Sequence, residues 1–211
     1  MIQNEIQSTS EEALNRIAYA ISIILHPLFH FIYVFILSLL ITPGNIAGDT
    51  LSIAIFTGLL FLNTTIFPAL GAYLLTGSID IKERHQRTWA YGAAIFFYFL
   101  AYYFLWQIPV YDFLKAYLLS LAIGMIALMA LNLRWKISMH ATGGGSLIAF
   151  FAHQYYVMPD TYFLPLLAGI LVAGLIGSAR LKLKAHNNIE IYVGYIIGFT
   201  ITGIVMGNLL Y

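Results

Sequence analysis

The chain has no cysteine, which removes disulfide frameworks and thiolate metal sites from consideration. Charge is almost as scarce. Asp, Glu, Lys and Arg make up 9% of the 211 residues, where soluble domains carry roughly 25%. A chain so poor in charge has no means of covering a water-facing surface, so its main solvent must be lipid. Neither sign dominates, and a net charge of +1 gives no polyanion-binding signal, so nucleic acid is not an expected partner. A basic N-terminal start is missing too. Glu5, Glu11 and Glu12 precede only Arg16, unlike a signal peptide, so the first apolar run is expected to be a retained helix.

What the chain has in abundance is apolar and aromatic surface: 61% hydrophobic residues, with 15 Tyr, 15 Phe and 3 Trp. Apolar windows fall near 17–42, 51–75, 88–106, 113–132, 141–157, 162–178 and 190–209, each close to the ~20 residues that cross a bilayer. They predict an all-α, polytopic membrane bundle of six or seven transmembrane helices. The whole chain, 1–211, reads as one integral membrane domain, with a short polar N-terminal segment at 1–16. The window 141–157 is short and holds His153 and Gln154, which suits a buried or tilted helix. Pro165 fits a first helical turn of the next one. Brief connections around Pro43, Pro109 and Pro159 have turn chemistry and leave no room for an inserted soluble domain.

If all seven runs span, the N-terminus and the connections 76–87, 133–140 and 179–189 share one face. That face holds Arg16, Lys82, Arg84, Arg87, Arg134, Lys136, Arg180, Lys182 and Lys184, while Lys115 alone lies on the other. Setting aside Lys82, Arg87 and Arg180 as candidate ligands still leaves six against one, and the positive-inside rule would turn the basic face to the cytoplasm. Each of its three connections also carries a histidine: His85, His140 and His186. Basic, His-bearing loops converging on one face suit an anion, and phosphate best, since Arg meets its oxygens in pairs and Lys adds a point charge.

His186 and Glu190 are four apart at the start of the last helix, a spacing that puts both on one helical face. The carboxylate can then fix the imidazole tautomer and leave the other nitrogen as a nucleophile. His140, from another loop, is placed to protonate a leaving alkoxide. The run Gly143-Gly144-Gly145 follows it, readable equally as an oxyanion cradle at a helix start or as close helix packing.

These residues resemble the three motifs of the type 2 phosphatidic acid phosphatase superfamily: Lys-x6-Arg-Pro, Pro-Ser-Gly-His and Ser-Arg-x5-His-x3-Asp. Arg180-x5-His186-x3-Glu190 keeps the spacing of the third, with Ala179 inserted after Ser178 and Glu in place of Asp. Ser138-Met139-His140 keeps part of the second, with Ile137 for Pro and Met139 for Gly. The first is displaced: Lys82 and Arg87 have four residues between them, and Thr88 stands where Pro would. The resemblance covers Lys82 to the C-terminus, with the three motif regions in 82–190, and leaves the first two helices unassigned. It implies a membrane lipid phosphatase, hydrolysing a lipid phosphomonoester or diphosphate through a phosphohistidine intermediate without metal or other cofactor. His186 would be the nucleophile, Glu190 its partner and His140 the general acid. Lys82, Arg87, Arg180 and Ser138 would bind phosphate, with Arg84 and Gly143 as additional candidates. The implied partners are a lipid phosphate substrate and membrane lipids.

Two alternatives share the same residues: a lipid phosphotransferase, with an alcohol as acceptor, and a degenerate member that binds or moves anionic lipids. Bacterial members imply an inner-membrane location with a periplasmic site, against the cytoplasmic face that the charges favour. Plainer readings hold elsewhere. His26 and His30 have metal-compatible spacing but no evident third ligand, and read as hydrogen-bonded packing. His153 reads as an interior polar contact, His85 as facing water or headgroups, and Lys182 and Lys184 as topology or lipid-attraction charges. A metal held by His140, His186 and Glu190 is disfavoured by the basic residues around them.

Overall fold

The structure, a computed structural model, describes residues 2–42, 50–77 and 84–209, and the side chains within them from residue 10 onward apart from that of Arg84. Lys82 lies outside the described residues. Among those described, every regular element is a helix. The order is α1 Ile2–Ile24, α2 Pro27–Ile41, α3 Thr50–Phe61, a π-turn at Leu62–Ile66, α4 Phe67–Thr76, α5 Arg84–Trp106, α6 Asp112–Asn132, α7 Met139–Val157, α8 Pro159–Lys182 and α9 Asn188–Leu209. Five stretches are long and apolar enough to cross a membrane: Thr50–Thr76, His85–Trp106 and helices α6, α8 and α9. Ser10–Ile24 of α1 and α2 together make a sixth where the bent pair crosses as one broken span. The chain is an integral membrane protein with an all-α fold.

The window 17–42 is not one helix, contrary to the expectation from its hydropathy. It breaks at Leu25–His26, and the two halves meet at 62°. The cause is Pro27, which excludes helical backbone from the residue before it. His26 is accordingly extended, with φ −66 and ψ 137, and caps α2 by accepting the Leu28 N–H on its Nδ1 at 3.3 Å. Proline shapes the next span as well. Pro68 lacks a ladder donor and crowds the carbonyl four residues back, and the helix widens into its π-turn just ahead of it. There Asn63 and Thr64 donate back to the Leu59 and Leu60 carbonyls, and Thr65 Oγ1 reaches across to the Leu28 carbonyl at 2.9 Å.

Helix α7 sits at the centre, and its composition explains why. Thr142, Ser146, His153 and Gln154 would be costly against lipid, so the helix is enclosed by α2, α6, α8 and α9. Thr142 Oγ1 bonds the Ser138 carbonyl, Ser146 Oγ the Gly198 carbonyl, and His153 its neighbour Gln154. Glycines let the neighbours approach. A Cβ on Gly143 would lie 2.8 Å from His30 Nδ1 and 2.9 Å from Pro27 of α2. One on Gly144 would crowd Tyr195 and Ala173, and one on Gly145 would run into the Tyr195 carbonyl. From the other side, a Cβ on Gly198 would strike the Thr142 carbonyl oxygen. The contacts of Gly194 with Ser138 and Thr142 and of Gly198 with Thr142 and Ser146 make α7 and α9 parallel. Contacts of Gly144 with Ala173 and of Gly169 with Phe151 make α8 antiparallel to α7. The starts of α7 and α9 and the end of α8 therefore share one end of the bundle.

That end gathers charge. Asn132 Nδ2 bonds Thr88 Oγ1 at 3.3 Å, which brings the start of α5, with Arg87, level with the end of α6 and the loop holding Arg134 and Lys136. Arg180, Lys182 and Lys184 complete it. Lys115 lies at the other end, paired with Asp112 at 3.0 Å and lying 5.0 Å from the Trp106 ring centroid. The glycine seam makes a testable distinction. Gly198→Ala and Gly145→Ala should each cost about 1–3 kcal/mol by forcing backbones apart, whereas Gly203→Ala, with open space around it, should be neutral or stabilising. Thermal unfolding of the detergent-solubilised protein measures the difference.

Candidate functional site

The connection from α8 to α9 is five residues long, and two local devices set its shape. At the end of α8, Lys184 has φ 50, its N–H bonds the Leu181 carbonyl and the Ala185 N–H bonds the Arg180 carbonyl. This is the 6→1 and 5→2 pattern that ends many helices, usually with glycine in the left-handed position. Lysine there costs on the order of 1 kcal/mol. At the start of α9, Glu190 N–H donates to Asn187 Oδ1 at 2.9 Å, and Asn187 N–H donates to Glu190 Oε2 at 3.1 Å. That reciprocal pair is a capping box.

His186 stands between the two devices. Its Nδ1 lies 3.0 Å from Glu190 Oε2, the same oxygen that accepts from Asn187. A carboxylate oxygen accepts, so Nδ1 carries the hydrogen and Nε2 keeps its lone pair. The His186 side chain is 4% exposed and that of Glu190 13%. Burial pushes the imidazole below its ordinary pKa. The hydrogen bond and charge of Glu190 pull upward, while the Arg180 and Lys136 charges push further down. The ring is thus neutral at physiological pH. Lys136 also donates from Nζ to the Ala185 carbonyl at 3.0 Å, and Ser138 N–H donates to the Glu190 carbonyl at 3.3 Å. These two bonds join the α6–α7 loop to the α8–α9 loop.

Ser138 is the N-cap of α7. It is fully buried, and its Oγ accepts the Ala141 N–H at 3.3 Å. His140, in the first turn, is also buried. Its Nε2 lies 3.1 Å from the Ser22 carbonyl, and its ring meets that of His26 edge to face, with centroids 4.8 Å apart. The Arg180 guanidinium is within electrostatic reach of His26, His140 and His186. Among the described residues, no group of three His, Asp or Glu side chains is arranged to hold a metal ion.

The structure therefore brings together His186, Glu190, Arg180, Ser138 and His140. Arg87 stands near the start of α5, which packs chiefly on α4 and α6. Lys82 and the Arg84 side chain lie outside what is described. Gly143 is the fifth residue of α7, where the N–H belongs to the helical ladder rather than to a free first turn. Its observed role is to admit Pro27 and His30, so the packing reading fits and an oxyanion cradle at Gly143 does not. Sequence reasoning missed Lys136, Asn187 and His26 as neighbours of the site. Asn187 was findable, since Asn three residues before Glu at a helix start signals a capping box.

The charge balance around His186 has a signed consequence. Its folded pKa lies below the unfolded value of about 6.5, so the unfolded chain takes up this proton first as pH falls. Its contribution to stability is whole above about pH 6.5 and is lost as pH drops toward the folded value. NMR titration of His186 should show its midpoint moving down in Glu190→Gln and up in Arg180→Gln. An upward shift in Glu190→Gln would sink the assignment of the pair. No family model, curated protein or solved structure matches this chain.

Proposed function

We propose that this membrane protein is a lipid phosphatase of the type 2 phosphatidic acid phosphatase kind, hydrolysing a lipid phosphomonoester or diphosphate. One observation carries the reading: Glu190 holds His186 by Nδ1 and leaves the Nε2 lone pair of a neutral ring in the company of Arg180. A neutral imidazole is the nucleophilic form. In the proposed first step Nε2 attacks phosphorus in line, a P–N bond forms, and the bond to the lipid oxygen breaks. Arg180, with Lys82 and Arg87 by resemblance, spreads the negative charge. His140 takes the proton of the incoming phosphate monoanion on Nδ1 and passes it to the leaving oxygen, and water then cleaves the phosphohistidine. Phosphatidic acid, phosphatidylglycerol phosphate, polyprenyl diphosphates and lipid A phosphates all present the required group.

A second reading is an anionic-lipid binding or transport protein built on the same residues. The closed state of the site favours it: Ser138 is fully buried and capping a helix, and His140 Nε2 is engaged by the Ser22 carbonyl. Phosphate release from a panel of these lipids decides between the two. His186→Ala and His140→Ala should each reduce it on the order of 10²–10⁴-fold. If the wild type releases no more phosphate than these variants with any substrate, the hydrolase reading fails. Adding alcohol acceptors to the same assay exposes a transferase by its ester products.

The six charges that remain after candidate ligands are set aside favour a cytoplasmic basic end by the positive-inside rule, whereas the family resemblance favours a periplasmic site. In this cysteine-free chain, single substitutions Arg134→Cys and Asp160→Cys should label with an impermeant thiol reagent from opposite sides, Arg134→Cys from the cytoplasmic one. The reverse pattern would put the site outside.

A further inference from the structure

The break at Pro27 leaves carbonyls at the end of α1 without helical donors. Ile21 and Ile23 receive the N–H groups of Leu25 and His26. The Ile24 carbonyl takes the Tyr33 hydroxyl at 2.7 Å, the Leu25 carbonyl takes His30 Nε2 at 3.3 Å, and the Ser22 carbonyl takes His140 Nε2 at 3.1 Å. A carbonyl only accepts, so the Ser22 bond puts the hydrogen of a neutral His140 on Nε2 and leaves Nδ1 as the nitrogen that can exchange a proton with a ligand. His26 sets the ring plane. Its own Nδ1 is occupied by the Leu28 N–H, which fixes its tautomer in turn, and its ring lies edge-on to His140 at 84°. The elbow is itself held firmly, by Thr65 on the Leu28 carbonyl and by the seat that Gly143 opens for Pro27 and His30.

We propose that the α1–α2 elbow belongs to the site, with the Ser22 carbonyl and the His26 ring as the positioning elements that set the tautomer and orientation of His140. His26 acts through His140 and is a positioning residue rather than a catalytic one. The catalytic consequence rests on the phosphatase reading, whereas the tautomer stands independently of it.

Two substitutions separate the ring of His26 from its capping role. His26→Asn keeps a good N-cap acceptor and removes the ring, while His26→Phe keeps a ring against His140 and removes the cap. Each is assayed on a lipid alkyl phosphate, whose leaving oxygen needs a proton, and on p-nitrophenyl phosphate, whose leaving group does not. His26→Asn should lower kcat on the alkyl phosphate on the order of tenfold to a hundredfold, with KM and turnover of the aryl phosphate little changed. His26→Phe should keep the wild-type ratio between the two substrates. An equal loss on both substrates, or an unchanged ratio in His26→Asn, overturns the proposal. If the wild type turns over neither these substrates nor any other of the lipid panel, the phosphatase reading fails and ¹⁵N NMR of His140 decides the elbow's role. The expected result is an Nε2–H tautomer in the wild type that loses its single tautomer in His26→Asn. An Nδ1–H tautomer in the wild type, or an identical signature in the variant, overturns it.

Discussion

In hydrocarbon an unpaired peptide group costs several kcal/mol, and the arrangement of this protein's polar side chains follows from that constraint. Wherever a helix is interrupted, the freed backbone groups must find partners inside the bundle. The largest interruption is at Pro27, and the carbonyls it frees recruit Tyr33, His30 and His140. A smaller one precedes Pro68, where Asn63, Thr64 and Thr65 are drawn inward. The buried histidines of the N-terminal half thus have a structural reason to exist before any chemistry is asked of them.

The same constraint explains why α7 lies in the middle. Of helices α5 to α9 it alone is not apolar enough to count as a membrane span, and its Ser146 hydroxyl is satisfied by the Gly198 carbonyl brought within reach on α9. Glycines at 143, 144 and 145 on α7, and at 194 and 198 on α9, allow that approach. Small residues are the usual means by which membrane helices come close. Here they also bring the first turns of α7 and α9 side by side, so that Ser138 and Glu190 are joined through the backbone. Close packing and assembly of the histidine-bearing end are one event.

Much of this was legible in the sequence. Composition alone called for a helical membrane bundle, the polar content of 141–157 marked a buried helix, and the four-residue spacing of His186 and Glu190 foretold their hydrogen bond. The misses have physical causes. Hydropathy is blind to a break when both halves are apolar, so the window 17–42 hid the Pro27 elbow although the proline was in plain view. His26 and His30 do read as hydrogen-bonded packing, but what they pack on was hidden because His140 and Gly143 are more than a hundred residues away in the chain. The left-handed end of α8 carries Lys184 where glycine would have announced it. The glycine run was ambiguous until the start of α7 fell at Met139, four residues ahead of Gly143.

The spacing Arg180-x5-His186-x3-Glu190 therefore needs dividing between two explanations. The connection itself accounts for part of it. A helix end at Arg180 to Ala185 and a capping box from Asn187 to Glu190 would require a carboxylate or amide at 190 whatever the protein does. The backbone pattern at Arg180 needs no guanidinium, and the capping box needs no imidazole at 186. What local structure leaves unexplained is the pair of side chains Arg180 and His186, together with the choice of a carboxylate that serves both Asn187 and His186. Placing a cation beside an imidazole and near two other histidines raises the cost of charging any of them, which a purely structural connection would gain nothing from. A neutral, oriented imidazole near a positive charge is an arrangement with a use when its partner is an anion, and that is the physical content of the proposed phosphate reading.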